Sequence, residues 1–318
     1  MDLVIVPSEH SKIGFIQTIY DKMQQLPNGE NQKVGEMKLE KPIEVLFEGA
    51  REDTFKLLDK NEFSEFSDNL DSKLETDFNF LCVGLWGKGG LGEDRKNISK
   101  LIKIFCETFS NREVQPGLIL KTNSAGFSIL DKEDIISRIN SIKSMFPNNW
   151  KLPKIYLLHG SLTDEEMNEL YNHPKIKAMV SFTHGEGFGR PLLEASMVGL
   201  PIIASGWSGQ MDFLNDDESM LVGGNFVEIP SSQVWEDIMI EKSNWFEIDE
   251  RQASNVLMLM FHENKNFKQK ALSLMEKNRK EFTLNKMTDK FNEILKDNYF
   301  SKDLPEQVSI KLPKLKKS

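Results

Sequence analysis

The sequence predicts an α/β protein built on a Rossmann-like, doubly wound parallel sheet, with a helical C-terminal end. Three observations carry this. From residue 77 onward, short apolar runs alternate with longer amphipathic ones, the pattern of parallel strands joined by covering helices. The short runs are predominantly apolar, as befits strands covered on both faces. One segment, Ser181-Phe-Thr-His-Gly-Glu-Gly-Phe-Gly-Arg-Pro-Leu-Leu-Glu-Ala-Ser-Met-Val-Gly-Leu-Pro-Ile-Ile-Ala-Ser205, reads as strand, glycine-rich turn, helix and strand.

Residues 3–6 form a core strand, stopped by Pro7-Ser8. Ser8 can cap a helix running to about Gln25. The polar stretch 27–41 reads as a loop and 42–48 as a second strand ended by Gly49. Residues 51–72 are charged, with phenylalanines at 55, 63 and 66, and read as a linker with short helical pieces.

The regular alternation then begins. A strand over 78–85 leads into a loop with Gly87, Gly89, Gly90 and Gly92, and Asp94 caps a helix to about Phe109. A strand over 116–122 precedes a helix over 131–146, whose Ile135, Ile136, Ile139 and Ile142 make one stripe. A strand over 154–158 ends at His159-Gly160, and Thr163-Asp-Glu-Glu166 is a capping box for a helix to Asn172. Strands over 178–182 and 201–204 flank the central helix, with a weak strand over 219–223. Helices follow over 249–263, 266–281 and 283–298, and the tail after Pro305 carries Lys311, Lys314, Lys316 and Lys317.

The central segment carries the chemistry. Gly185, Gly187 and Gly189 let the chain turn sharply and approach a ligand closely. Pro191 suits the first turn of a helix. The N–H groups and dipole at a helix start favour an anion such as phosphate. Glu186 lies in the turn, and Glu194 lies about one turn inside the helix, tilted back toward the same mouth. A carboxylate there can accept two hydrogen bonds from a vicinal diol such as a ribose.

Composition narrows the function classes. The 318 residues suggest two domains or one large one. Hydrophobic residues are 39% and charged residues 28%, which is ordinary for a soluble protein, and no run is long enough for a membrane span. A net charge of −9 supplies no basic field for nucleic acid. Without a secretory signal, and with Cys82 and Cys106 in apolar settings as buried thiols, the expected location is the cytoplasm. The basic tail is a candidate for weak peripheral membrane or acidic-partner contact.

The order of these pieces resembles the retaining glycosyltransferases of family four, the group 1 transferases, which have the GT-B fold. Their signature is Glu, seven residues, Glu in a glycine-rich strand–turn–helix, here Glu186-Gly-Phe-Gly-Arg-Pro-Leu-Leu-Glu194. Ile5-Val-Pro-Ser-Glu-His-Ser-Lys is similar to the last strand and helix of the family's N-terminal domain, and residues 42–55 to its interdomain segment. Phe80-Leu-Cys-Val-Gly84 resembles the first strand of the C-terminal domain, and Leu157-Leu-His-Gly-Ser-Leu-Thr-Asp-Glu-Glu the segment that covers the nucleotide base.

The resemblance implies metal-independent transfer of a sugar from a nucleotide-diphosphate sugar, with retention of configuration and no cofactor beyond that donor. Glu186 and Lys96 would be catalytic, with Glu186 on the donor sugar's hydroxyls and Lys96 on the phosphates. Donor-binding positions would be Glu194 on the ribose, Gly187, Phe188 and Gly189 on the diphosphate, and Arg190, Arg95, Leu193, His159 and Gly160 around it. The family's phosphate-binding arginine is expected after Gly84, where Leu85 stands, so Arg95 or Arg190 would replace it. Arg51 stands where the interdomain segment usually has an acidic residue.

By the same resemblance, residues 1–72 would be the end of an acceptor-side N-terminal domain plus the interdomain segment, 73–281 the donor domain, 282–300 a helix crossing back to the N-terminal piece, and 301–318 a tail. Most of the acceptor domain has no counterpart, so a fragment, a domain on another chain, or a lost domain are the alternatives. The acceptor would be a glycan, lipid, protein or small molecule. Rival readings are a non-catalytic nucleotide-sugar-binding module, an enzyme glycosylating DNA bases, and a sugar phosphorylase or phosphate synthase on the same fold.

Overall fold

The computed structural model describes residues 2–124, 126–234 and 242–300. The expected basic tail, 301–318, lies outside them. The chain opens with β1 (Val4–Val6) and α1 (Glu9–Gln17). Ser8 caps α1 as expected, its Oγ accepting from Ser11 N at 3.1 Å. The helix stops at Thr18 instead of running to Gln25. Residues 19–38 fold instead as an antiparallel hairpin, β2 (Ile19–Gln25) and β3 (Asn31–Lys38), where helix and loop had been expected. No residue of either strand is buried, so the hairpin is held by its own ladder, and apolar periodicity has nothing to report there. The local sign is the turn Pro27-Asn28-Gly29, closed by Gly29 N to Leu26 O at 2.9 Å.

β4 (Ile43–Val45) pairs in parallel with β1, making a two-stranded N-terminal sheet. Residues 46–64 then pack firmly on the rest of the molecule. Ala50 and Phe55 are buried, and Arg279 donates to Phe55 O (2.7 Å) and Glu52 O (3.2 Å). α2 (Glu65–Lys73) completes this connection. It is a linker in position only; Leu70 and Leu74 belong to the core.

The large sheet comprises β5 (Asn79–Val83), β6 (Gly117–Lys121), β7 (Ile155–Leu158), β8 (Ile176–Ser181), β9 (Ile202–Ser205) and β10 (Met220–Val222). All pairs are parallel, in the order β10-β9-β8-β5-β6-β7. The order reverses at β5, where open sheets of this kind hold ligands beyond the strand ends. Covering helices are α3 (Ile98–Phe109), α4 (Ile129–Lys143), α5 (Asp164–Asn172) and α6 (Arg190–Met197). Successive strand residues feed opposite layers: Phe80 joins Phe105, Phe109 and Leu257, whereas Leu81 joins Leu193, Met197 and Tyr171. Cys82 and Cys106 are free and buried, and burial pushes both thiols up to about 12, so neither is a ready nucleophile.

A second hairpin, β11 (Gly224–Glu228) and β12 (Asn244–Ile248), follows and was not anticipated. The two helices expected over 249–281 are present along α7 (Glu250–Glu281) and meet at a kink at Glu263, whose backbone is non-helical (φ −114°, ψ 23°). α8 (Leu284–Leu295) crosses to the N-terminal segment: Ala50 bridges Thr283, and Gly49 N lies 3.3 Å from Met287 Sδ. No described helix is long and apolar enough to cross a membrane.

Candidate active site

The site forms at the C-terminal ends of β5 and β8. Asp94 organises one half of it. Fully buried, it accepts from Ile98 N (3.0 Å) and Ser99 N (3.3 Å) at the start of α3. The N-cap of α3 is Asn97, at φ 54°, and not Asp94 as expected, although the Asp94 carboxylate accepts from the first two N–H groups of the helix. Residues 94–97 become a short loop whose backbone is bolted to the β8–α6 turn: Arg95 O accepts from His184 N (2.9 Å) and Thr183 Oγ1 (3.1 Å). This carries Lys96 across Gly84 to Glu186.

Glu186 is the electrostatic centre. Its Oε1 accepts from Lys96 Nζ at 2.6 Å and its Oε2 from Arg95 Nη1 at 3.2 Å. Arg95 Nη1 also donates to Gly185 O at 2.8 Å. Burial works to raise the Glu186 carboxyl, but the charges of Lys96 and Arg95, with hydrogen bonds from Lys96 and Thr183, outweigh it and hold the group below the usual carboxylate range. Of the two arginines that could replace the one missing at Leu85, Arg95 is the one beside Glu186.

The turn itself is held from behind. Glu186 N donates to Ser208 Oγ (2.8 Å), and Gly209 N to Glu186 O (3.0 Å). Ser208 Oγ in turn donates to Gln210 Oε1 (2.9 Å), and Gln210 Nε2 to Ser205 O (3.0 Å). A side chain on Gly209 would lie 2.2 Å from Gly187 O. Gly189 precedes α6 with φ +98°, the left-handed region that glycine adopts without strain. The N–H groups of Gly187, Phe188 and Gly189 make no hydrogen bond to the described residues. Phe188 itself is buried against Phe213, and Leu193 is wholly buried in the core. Ser208 and Gln210 were not singled out in the sequence; their role depends on β9 returning the chain beneath the turn.

Arg190 and Glu194 form a second cluster. Arg190 Nε donates to Glu194 Oε1 at 2.9 Å, and the hydroxyl of buried Tyr171 donates to Oε2 at 3.2 Å. Burial raises the Glu194 carboxyl despite Arg190 and Tyr171, opposite in direction to Glu186. A third cluster is His159 and Gly160. His159 Nε2 lies 2.8 Å from Asp131 Oδ2, and Asp131 also pairs with Ser124 Oγ. Gly160 O accepts from Lys121 Nζ at 2.6 Å, whose ammonium burial pushes down. His184 is structural: its nitrogens face Phe246 O (2.8 Å) and Gly92 O (3.0 Å), and its ring stacks on Trp245.

Facing Glu186 is a cleft of about 640 Å³. Gly185, Glu186 and Gly187 form one side, and α1 and the β2–β3 hairpin the other. Two contacts anchor α1 there: Glu9 N donates to Asp212 Oδ2 (3.0 Å), and His10 meets Trp207 edge-on at 4.8 Å. Among the described residues, no group of three or more His, Cys, Asp or Glu could hold a metal ion.

The family model for glycosyl transferases group 1 matches residues 149–256, from before β7 into α7. No curated protein sequence matches the chain. Among solved structures, the HepE protein of Anabaena in complex with UDP and glucose is similar with a TM-score of 0.59 at 14% identity, over 93% of this chain and 63% of that one. Sucrose-phosphate synthase from Thermosynechococcus elongatus is similar with a TM-score of 0.61 at 13% identity, over 94% and 59%. A glycosyltransferase from Rickettsia africae follows with a TM-score of 0.54 at 16% identity, over 80% and 57%. The chain thus spans about three-fifths of the length of the structures it resembles. Its architecture is GT-B-like, a small N-terminal sheet beside a larger, doubly wound and more helical C-terminal part, with the group 1 match falling on the latter.

Proposed function

We propose that the chain binds a nucleotide-diphosphate sugar and transfers its sugar to an acceptor hydroxyl with retention of configuration, residues 73–281 forming the donor domain. The observation that carries this is Glu186 held between Lys96 and Arg95 at the mouth of a glycine-rich turn. In the reaction, the bond between the anomeric carbon and the diphosphate oxygen breaks, and the acceptor oxygen bonds to that carbon on the same face. The acceptor's proton leaves with the diphosphate. Negative charge grows on the departing oxygens, where Lys96, Arg95 and the N–H groups of Gly187, Phe188 and Gly189 would meet it. Ionised Glu186 would accept hydrogen bonds from the donor sugar's hydroxyls, and Glu194 from the ribose. His159 and Gly160 would border the base.

The fold likeness, the group 1 match and the UDP and glucose held by the HepE structure support this reading. The test is calorimetry of the full chain with UDP, GDP and ADP, followed by donor hydrolysis and transfer assays. Binding of one nucleotide, with Glu186→Gln and Lys96→Ala abolishing turnover while circular dichroism is unchanged, is expected. Full turnover in either variant would sink the assigned roles. Binding without hydrolysis or transfer to any acceptor would favour the non-catalytic module.

A further inference from the structure

We infer that the cleft between the β2–β3 hairpin and Glu186 takes an acceptor with an apolar body, an aromatic ring or alkyl chain, whose hydroxyl points at Glu186. This rests on the transferase reading and adds the acceptor's chemical class.

The cleft, at about 640 Å³, falls within the roughly 300–1,000 Å³ of small-molecule sites. Its far wall carries Phe15 of α1 with Tyr20 and Met37 of the hairpin. Tyr20 and Met37 are direct cross-strand partners, so their side chains stand together on one face of the ladder. Phe15, Tyr20 and Met37 are 51%, 47% and 58% exposed. Residues of this type usually supply buried area; here they line a cavity that opens on a reactive carboxylate. An apolar ligand would cover them, and that burial drives binding.

The polar inventory points the same way. A sugar acceptor presents several hydroxyls, each needing a partner once desolvated. Among the described residues lining the cleft, none is Asp, Asn or Gln. The one carboxylate is Glu186, already bound by Lys96 and Arg95. His10, Ser11, Thr18, Lys38 and the Tyr20 hydroxyl can pair with a few hydroxyls, not with a chain of sugars.

The experiment titrates the full chain by calorimetry with octyl β-glucoside below its micelle concentration, with glucose, and separately with UDP, GDP and ADP. Octyl glucoside is expected to bind at least ~10-fold more tightly than glucose. Phe15→Ser and Met37→Ser should each weaken it by roughly ten-fold, and Phe15→Leu by far less, because the lost term is buried apolar area. Nucleotide affinity should stay unchanged in all three variants, since these residues lie on α1 and the hairpin, on the side of the cleft away from the turn. Equal affinity for octyl glucoside and glucose, or Ser variants that bind octyl glucoside normally, would overturn the inference. If no nucleotide binds, the transferase reading fails, while the octyl glucoside comparison still decides the apolar site. Cosedimentation with phosphatidylcholine vesicles containing a glucosyl lipid then separates the sources. Retention beyond that of plain vesicles indicates a bilayer-borne acceptor, and its lack a dissolved one.

Discussion

Replacing Lys96 by methionine isolates the charge that holds the site together. The aliphatic stem of Lys96 lies over Gly84, about 3.3 Å from where a side chain there would begin, and methionine keeps most of that packing. What is lost is the ammonium 2.6 Å from Glu186. The Glu186 side chain is only 9% exposed, and its remaining partner, Arg95, is 57% exposed and therefore well screened. Exposed pairs contribute roughly 0.2–1 kcal/mol, whereas breaking a buried pair costs about 3–5 kcal/mol. Lys96, at 14% exposure, lies between, so a loss of about 2 kcal/mol at pH 7 is expected.

The assay is urea unfolding of the wild type, Lys96→Met, Glu186→Gln and the double variant. The double-mutant cycle should give a coupling of about 1.5–2 kcal/mol at pH 7. The pH dependence has a definite sign. Glu186 is depressed in the folded protein, so its contribution is present above the unfolded value of 4.5 and is lost as pH falls through the lower folded value. The coupling should therefore be intact above pH 4.5 and fade only as the pH falls through the lower folded value. Coupling below about 0.5 kcal/mol at pH 7, or coupling that grows as the pH is lowered, would refute the reasoning.

Two further perturbations probe the frame around this pair. Gly209→Ala puts a methyl group 2.2 Å from Gly187 O and 2.8 Å from Phe188 Cα, so the turn must shift. A loss of about 1–3 kcal/mol and weaker nucleotide binding are expected, read by thermal melts and calorimetry, and wild-type values in both would show the contact to be slack. Tyr171→Phe removes the hydroxyl from Glu194 Oε2 inside the core. Chemical denaturation should show a loss of about 1–2 kcal/mol, which shrinks as falling pH protonates the Glu194 carboxyl that burial raises; no pH dependence would contradict that pairing.

The larger, doubly wound part of the fold was legible because its signals are local or periodic. Thr163 and Glu166 do form a capping box, with Thr163 N donating to Glu166 Oε2 (2.8 Å) and Glu166 N to Thr163 Oγ1 (3.1 Å). The apolar runs at 79–83 and 176–181 are parallel strands because covering helices bury both their faces. The hairpins gave no such signal. β2 and β3 bury no side chain, and β11 leaves four of its five residues exposed, so pairing rather than periodicity makes these strands.

By itself, the sequence determined the doubly wound sheet, the glycine-rich turn and the two glutamates that frame it, since strand periodicity, caps and turn residues act over a few positions. Only the tertiary structure decided which cation serves which carboxylate. Arg190 is held by Glu194 one helical turn away, while Arg95, ninety-one positions before Glu186, reaches it because the Asp94–Asn97 loop is bonded to Thr183 and His184. Only the tertiary structure also set the hairpin opposite Glu186 as the second wall of a cleft, with Asp212 and Trp207 holding Glu9 and His10 of α1. Charge pairing and cleft shape depend on distances in space between residues far apart in the chain, and no local pattern encodes those distances.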